Sequence, residues 1–279
     1  MVLSLESASL FPSTVEASIC RAAMGWLLAS VHTGAHPPIW LASGLAGAAA
    51  QRLAESPTFA PGGRARAIRV ARAQRGLLEA DHLVGFQGAT PRPAPKDLWR
   101  PDAFALQFRI QQQEWSLMDH LLAHHRDGLE TFCKAIHDYI TTPPSFKECF
   151  GHPAERIVSE WRDAIEAQPP PAHTSPPPEV RSAIENELLA VLTDSSAPLP
   201  ERRRAVRCWG TAGWVWGCQA VVDLAGSKSH PLAADSHLAL QNVSGRTEPP
   251  APPHPSTLSA WRGWADELSS ASKGPASPR

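Results

Sequence analysis

The chain has 279 residues, 43% of them hydrophobic and 19% charged, with 26 Lys and Arg against 27 Asp and Glu. That length accommodates one large or two modest domains whose buried core needs neither a disulfide nor a metal to fold. A net charge of −1 gives no excess that would draw the chain to nucleic acid or an anionic membrane, and the partner class is not readable from net charge.

At the start, MVLSLESASLFPS carries Glu6, no basic segment and no apolar run, which predicts no secretion signal and a cytoplasmic location. The next stretch, STVEASICRAAMGWLLASV (13–31), begins with Ser13 and Glu16 at capping-box spacing. Val15, Ile19, Ala22, Ala23, Trp26 and Leu27 then recur every three or four residues, which predicts an amphipathic helix. Pro37 and Pro38 suit the first turn of a second helix running through Leu53. In GGRARAIRVARAQR, Arg64, Arg66, Arg69, Arg72 and Arg75 recur at near-helical spacing and form one basic stripe. Such a stripe suits phosphate or an acidic protein surface. Without interleaved aromatics to stack on bases, the reading is a solvated face paired with nearby acids.

A proline-rich break, PRPAPKDLWRP, precedes a long helix marked by Phe104, Phe108, Trp115, Met118, Leu121 and Leu122 and ending near His125. Helical periodicity resumes in DGLETFCKAIHDYI and again in PAERIVSEWRDAI. His120 and His124 stand i, i+4 on the long helix, which puts two imidazoles on one face at metal-binding separation, and His125, His137 and His152 are candidates to lie nearby. No carboxylate or cysteine stands at a recognised companion spacing. The pair therefore reads first as solvated imidazoles at a helix C-terminus and second as a fallback metal site.

PPPAHTSPPP is an extended, stiff spacer. Beyond it, PEVRSAIENELLAVL and PERRRAVRCWGTAGWVWGCQAVVDL each open with proline at a first helical position, and PSTLSAWRGWADEL follows. The apolar run CWGTAGWVWGCQAVVDL contains Gln219 and Asp223 and is shorter than the ~20 residues of a spanning helix, so it is expected to be a buried helix and not a membrane span. Trp214 and Trp216, with Trp209 and Gly210, Gly213 and Gly217, suggest close helix approach in a core, or interface anchors if the partner is another chain. RTEPPAPPHPS is a third proline-rich stretch, and SSASKGPASPR is expected to be disordered.

Five cysteines, Cys20, Cys133, Cys149, Cys208 and Cys218, are scattered, odd in number and form no CxxC pair, which favours reduced, buried thiols. Neither a GxSxG elbow nor a phosphate-binding glycine loop is present in the sequence.

In its order of elements, residues 13–168 resemble a peptidase MA-like domain, of the gluzincin type of zinc metallopeptidase. In that family HExxH on one helix is followed by WLxEG on the next. Val15, Glu16, Ala17, Ser18 and Ile19 fall where HExxH would lie, and WLASGLAG where WLxEGLA would lie. Phe146, Phe150, Gly151, Glu160 and Trp161 match a closing pattern of short helix, FG and a helix carrying EW. The resemblance implies two histidine ligands, a general-base glutamate and a third carboxylate ligand, but here Val15, Ile19 and Ser43 stand at the ligand positions. Alkyl groups offer no lone pair and a lone hydroxyl does not hold zinc. Glu16 is left at the base position, where its expected role is the capping bond with Ser13.

The expectation is a mostly α protein. It comprises a degenerate metallopeptidase-like helical domain at 1–168, a proline-rich linker at 169–178, a second helical region at 179–268 and a disordered tail at 269–279. The expected function is a non-catalytic scaffold that binds a peptide or protein without a cofactor. A groove between the first two helices and the side chains Arg66, Arg69, Arg72, Trp214 and Trp216 are the candidate contacts. The alternatives are a zinc-dependent hydrolase with displaced ligands at His120 and His124, and a nucleic-acid binder using the arginine stripe.

Overall fold

The computed structural model describes residues 38–53, 80–84, 101–138, 144–168, 175–226, 230–246 and 254–271, with Ala23, Ile68, Leu77 and Pro252 as single positions. These residues are mostly α-helical, and no strand occurs among them. None of their helices is long and apolar enough to cross a membrane. The helices fall into two units.

The first unit contains α1 (Ile39–Leu53), α2 (Ala80–Val84), α3 (Pro101–His124), α4 (Arg126–Asp138), α5 (Phe146–Phe150) and α6 (Ala154–Ala167). Pro38 starts α1: its carbonyl accepts from the Leu41 and Ala42 amides at 3.0 and 3.1 Å. Helix α1 lies directly against α3 because Gly44 and Gly47 present no side chain there. A Cβ built on Gly47 would stand 2.1 Å from the Trp115 ring, and one on Gly44 would stand 3.0 Å from the Glu114 carbonyl oxygen. The glycines are what allow the two backbones to approach.

Helix α6 buries Ile157, Val158, Trp161 and Ile165, an i, i+1, i+4, i+8 stripe. Its Trp161 indole is 1% exposed and donates to Ser116 Oγ on α3 at 3.0 Å, so one polar contact sets the register of α6 along α3. Ser145 caps α5 by accepting from the Glu148 amide at 3.3 Å, and Gly151 ends it in the left-handed region at φ 73°. Phe146 and Phe150 stack at 4.7 Å, and Phe132 of α4 and Trp40 of α1 complete an aromatic cluster.

The second unit begins with one continuous helical stretch: α7 (Pro178–Ala183), a π-helical segment (Ile184–Leu189) and α8 (Ala190–Thr193). Val180, Ile184, Leu188 and Leu192 are all buried and recur strictly every fourth residue. On a regular α-helix that spacing drifts by ~40° per step. The wider π turn rotates the other way and keeps all four on the core face.

There follow α9 (Leu199–Ala212), α10 (Cys218–Ala225), α11 (Ala233–Ser244) and α12 (Thr257–Ala271). The expected single helix over CWGTAGWVWGCQAVVDL is in fact two. Gly213 closes α9 in the left-handed region at φ 77°, with its amide donating to the Trp209 carbonyl, and Gly217 at φ 76° precedes α10. Gly210 lies mid-helix at the close approach of α9 and α11: a Cβ there would meet Cα and Cβ of Ala239 on α11 at 2.7 Å. Helix α12 reaches Ala271 and so runs three residues into the stretch expected to be a disordered tail.

Helix α11 has no clear apolar periodicity, because Asp235, Ser236, His237, Gln241 and Asn242 are buried alongside Ala239, Leu240 and Val243. Two of these polar residues have their partners in neighbouring helices. Asp235 Oδ1 takes both Nε and Nη2 of Arg207 at 2.8 and 2.7 Å, with Arg203 at 3.4 Å from Oδ2, which ties α11 to α9. His237 Nδ1 accepts from the Trp261 indole of α12 at 3.1 Å.

His237 is 6% exposed, and burial pulls its pKa down from 6.5 to about 4. The folded state therefore holds the neutral ring. Its contribution is complete above pH ~6.5 and is lost as pH falls through about 4, a total of about 3 kcal/mol. Urea titrations between these two pH values should show a shallower loss of stability for His237→Gln than for the wild type. Equal slopes would mean that the buried imidazole charges without penalty.

Candidate metal centre

The carboxyl end of α3 carries His120 on its last turn and His124 as its last residue. His125 separates α3 from α4. Its amide donates to the Leu121 carbonyl at 2.8 Å and its own carbonyl accepts from the Leu129 amide at 3.0 Å, so one residue ends a helix and begins the next. This break matters for side-chain direction. His124 faces His120 one turn along α3, with ring centroids 4.8 Å apart, and is exposed, while the break brings His125 to His120 as well, at 5.6 Å.

Glu160 comes from the middle of α6, next to the anchoring residue Trp161. Ser116, which receives the Trp161 indole, lies one turn before His120, so the same hydrogen bond that sets the α3–α6 register delivers Glu160 to the histidines. Glu160 Oε2 stands 3.1 Å from His125 Nε2, and Oε1 accepts from Arg156 Nε one turn earlier at 3.0 Å. The Arg156 hydrogen bond, with help from His125, holds the Glu160 carboxyl below the ordinary carboxylate range. His125 also meets the edge of Phe150 at 6.5 Å, so the aromatic cluster supports its ring.

One ligand atom from each of His120, His125 and Glu160 lies within 4.8 Å of the other two. His120 Nε2 is buried and, among the described residues, has no hydrogen-bond partner. Burial first, then the neighbouring His124 and His125 rings, pull the His120 pKa from 6.5 to about 4, against an opposing pull from Glu160. A buried neutral imidazole with a free lone pair is what a metal ligand must be. Next to the trio, a cleft of about 430 Å³ is lined by His124, His125, Arg126, Asp127, Thr131 and Cys149, among others.

Two imidazoles and one carboxylate form a donor set suited to a borderline divalent ion, Zn²⁺ first among them, and leave at least one coordination position for another ligand. Thiolate chemistry is disfavoured at the described cysteines. Burial raises the pKa values of Cys133 and Cys149, with Glu130 and Glu148 adding to it, and pushes Cys208 and Cys218 up to about 11.

No carboxylate stands at a recognised companion spacing to the histidines; the one that joins them, Glu160, lies 35 residues after His125. No local spacing encodes that partnership. The only signal was the side-by-side EW on an amphipathic helix, in which Trp161 is the residue that docks. Ser43 is half-buried on α1, beside the glycines that pack on α3. Trp214 is 4% exposed within the core of the second unit. Trp216 is half-buried, donates its indole to Glu185 Oε1 at 2.9 Å and is covered by the Arg181 guanidinium at 4.6 Å. Both indoles are thus engaged within their own unit. Val15, Glu16 and Ile19, together with the first helix and its groove, and Arg66, Arg69 and Arg72 of the basic stripe, lie outside the described residues. Comparison with family models, with curated proteins and with solved structures found no match for the chain.

Proposed function

We propose that the protein is a helical metal-binding module, with Zn²⁺ or a chemically similar divalent transition metal held by His120, His125 and Glu160. The observation that carries this reading is the grouping of His120, His125 and Glu160, each with one donor atom within 4.8 Å of the other two, with a His120 whose buried Nε2 has no hydrogen-bond partner among the described residues. Tetrahedral zinc with bonds of about 2.0–2.1 Å sets its ligand atoms ~3.3 Å apart. His125 Nε2 and Glu160 Oε2 already stand at 3.1 Å, so an ion replacing the shared proton needs little movement of either group. Arg156 on the far carboxylate oxygen and Phe150 against the His125 ring are the supports that orient the two ligands.

The resemblance to peptidase MA-like domains contributes no ligand to this centre, because the positions that would match its zinc site are Val15, Ile19 and Ser43. The ion would instead join α3, the start of α4 and α6, and would stabilise the first unit by mass action.

Elemental mass spectrometry on untagged protein, loaded with zinc and dialysed, should find about one equivalent in the wild type and below about a tenth in His120→Ala and Glu160→Ala. Thermal melts should rise with added zinc for the wild type alone. Equal zinc contents in all three proteins would refute the centre.

A further inference from the structure

Resting on the metal-binding reading above, we propose that His124 is the fourth ligand, so that the centre is a closed His₃Glu site whose ion cross-links the helices and keeps no open position for a substrate or an attacking water. His124 stands i, i+4 from His120 on the same face of α3, and their ring centroids are 4.8 Å apart, closer than those of His120 and His125. Two histidines at this helical spacing are able to reach one ion from one face.

In the structure His124 stands outside the three-residue group, yet no polar contact among the described residues holds it there. It is exposed, it forms no hydrogen bond or ion pair among the described residues, and it terminates its helix. Rotation between staggered rotamers therefore breaks no polar contact. The alternative occupant is water from the adjoining cleft, but His124 itself lines that cleft beside His125. A side chain that borders the cleft is thus also a suitable ligand. Three imidazoles and one carboxylate around a divalent ion complete a tetrahedral shell, and a complete shell is the mark of a structural site, whereas three protein ligands and a water mark a catalytic one.

The test compares the full-length wild type with His124→Ala, a substitution at an exposed position, using Zn²⁺ competition for affinity and Co²⁺ as a spectroscopic probe. The expected result is a loss of zinc affinity of ~10- to 100-fold or more in the variant, since even supporting partners of ligands are worth that much. Azide should leave the visible spectrum of the wild-type Co²⁺ protein unchanged and alter that of the variant, in which a position has opened. Equal zinc affinities, or an azide-sensitive wild-type spectrum, would overturn His124 as a ligand and leave the three-residue centre standing. Failure of the wild type to bind either ion would overturn the centre itself, and the role of His124 with it.

Discussion

Replacing Trp209 with alanine is expected to destabilise the second unit by about 3–5 kcal/mol, the range for removing a fully buried tryptophan. Trp209 is 0% exposed on α9 and belongs to a core to which several other helices contribute, among them through Ile184, Leu188, Val222 and Leu240. Its indole N–H also donates to the Trp216 carbonyl at 2.8 Å, which closes the turn between α9 and α10 across the two left-handed glycines. Two effects are therefore combined, a cavity and an unmatched carbonyl. Trp209→Phe keeps most of the ring volume and loses the donor, and the cost should fall to about 1–2 kcal/mol. Urea denaturation followed by far-ultraviolet circular dichroism measures both. A loss below about 1 kcal/mol for the alanine variant would show that neighbouring side chains collapse into the space.

The elements that were readable in the sequence are those whose buried face is apolar. Ile157, Val158, Trp161 and Ile165 mark α6, and Val180, Ile184, Leu188 and Leu192 mark the helical stretch from α7 to α8. Helix α11 escaped because its buried face is built from Asp235, Ser236, His237 and Gln241, a pattern that hydrophobic periodicity does not register. The break between α9 and α10 escaped because Gly213 and Gly217 read equally well as small residues inside a helix and as left-handed caps.

At the candidate centre the sequence offered the histidines but not their grouping. Helical spacing pairs His120 with His124, whereas the break at His125 and the docking of α6 through Trp161 and Ser116 assemble His120, His125 and Glu160. That assembly depends on a helix crossing, and no spacing along the chain records one.

Asp235→Leu is expected to be about as damaging as the tryptophan truncation. Its carboxylate is fully buried, with Arg207 bound through two nitrogens to one oxygen and Arg203 beside the other. Removing one partner of a buried pair costs about 3–5 kcal/mol, because the remaining charge has lost the interaction that offset its desolvation. Both arginines are largely covered, at 15% and 21% side-chain exposure, so water replaces the carboxylate only in part. The same reasoning predicts a rescue. In the triple variant Asp235→Leu, Arg203→Met, Arg207→Met, the charges and the reason for the cost disappear together. Most of the lost stability should then return, since well-packed apolar replacements of a buried ionic cluster are often neutral or stabilising. Denaturation of the single and triple variants decides the matter. A triple variant no more stable than Asp235→Leu would mean that the arginines hold α9 against α11 through contacts other than the buried charge.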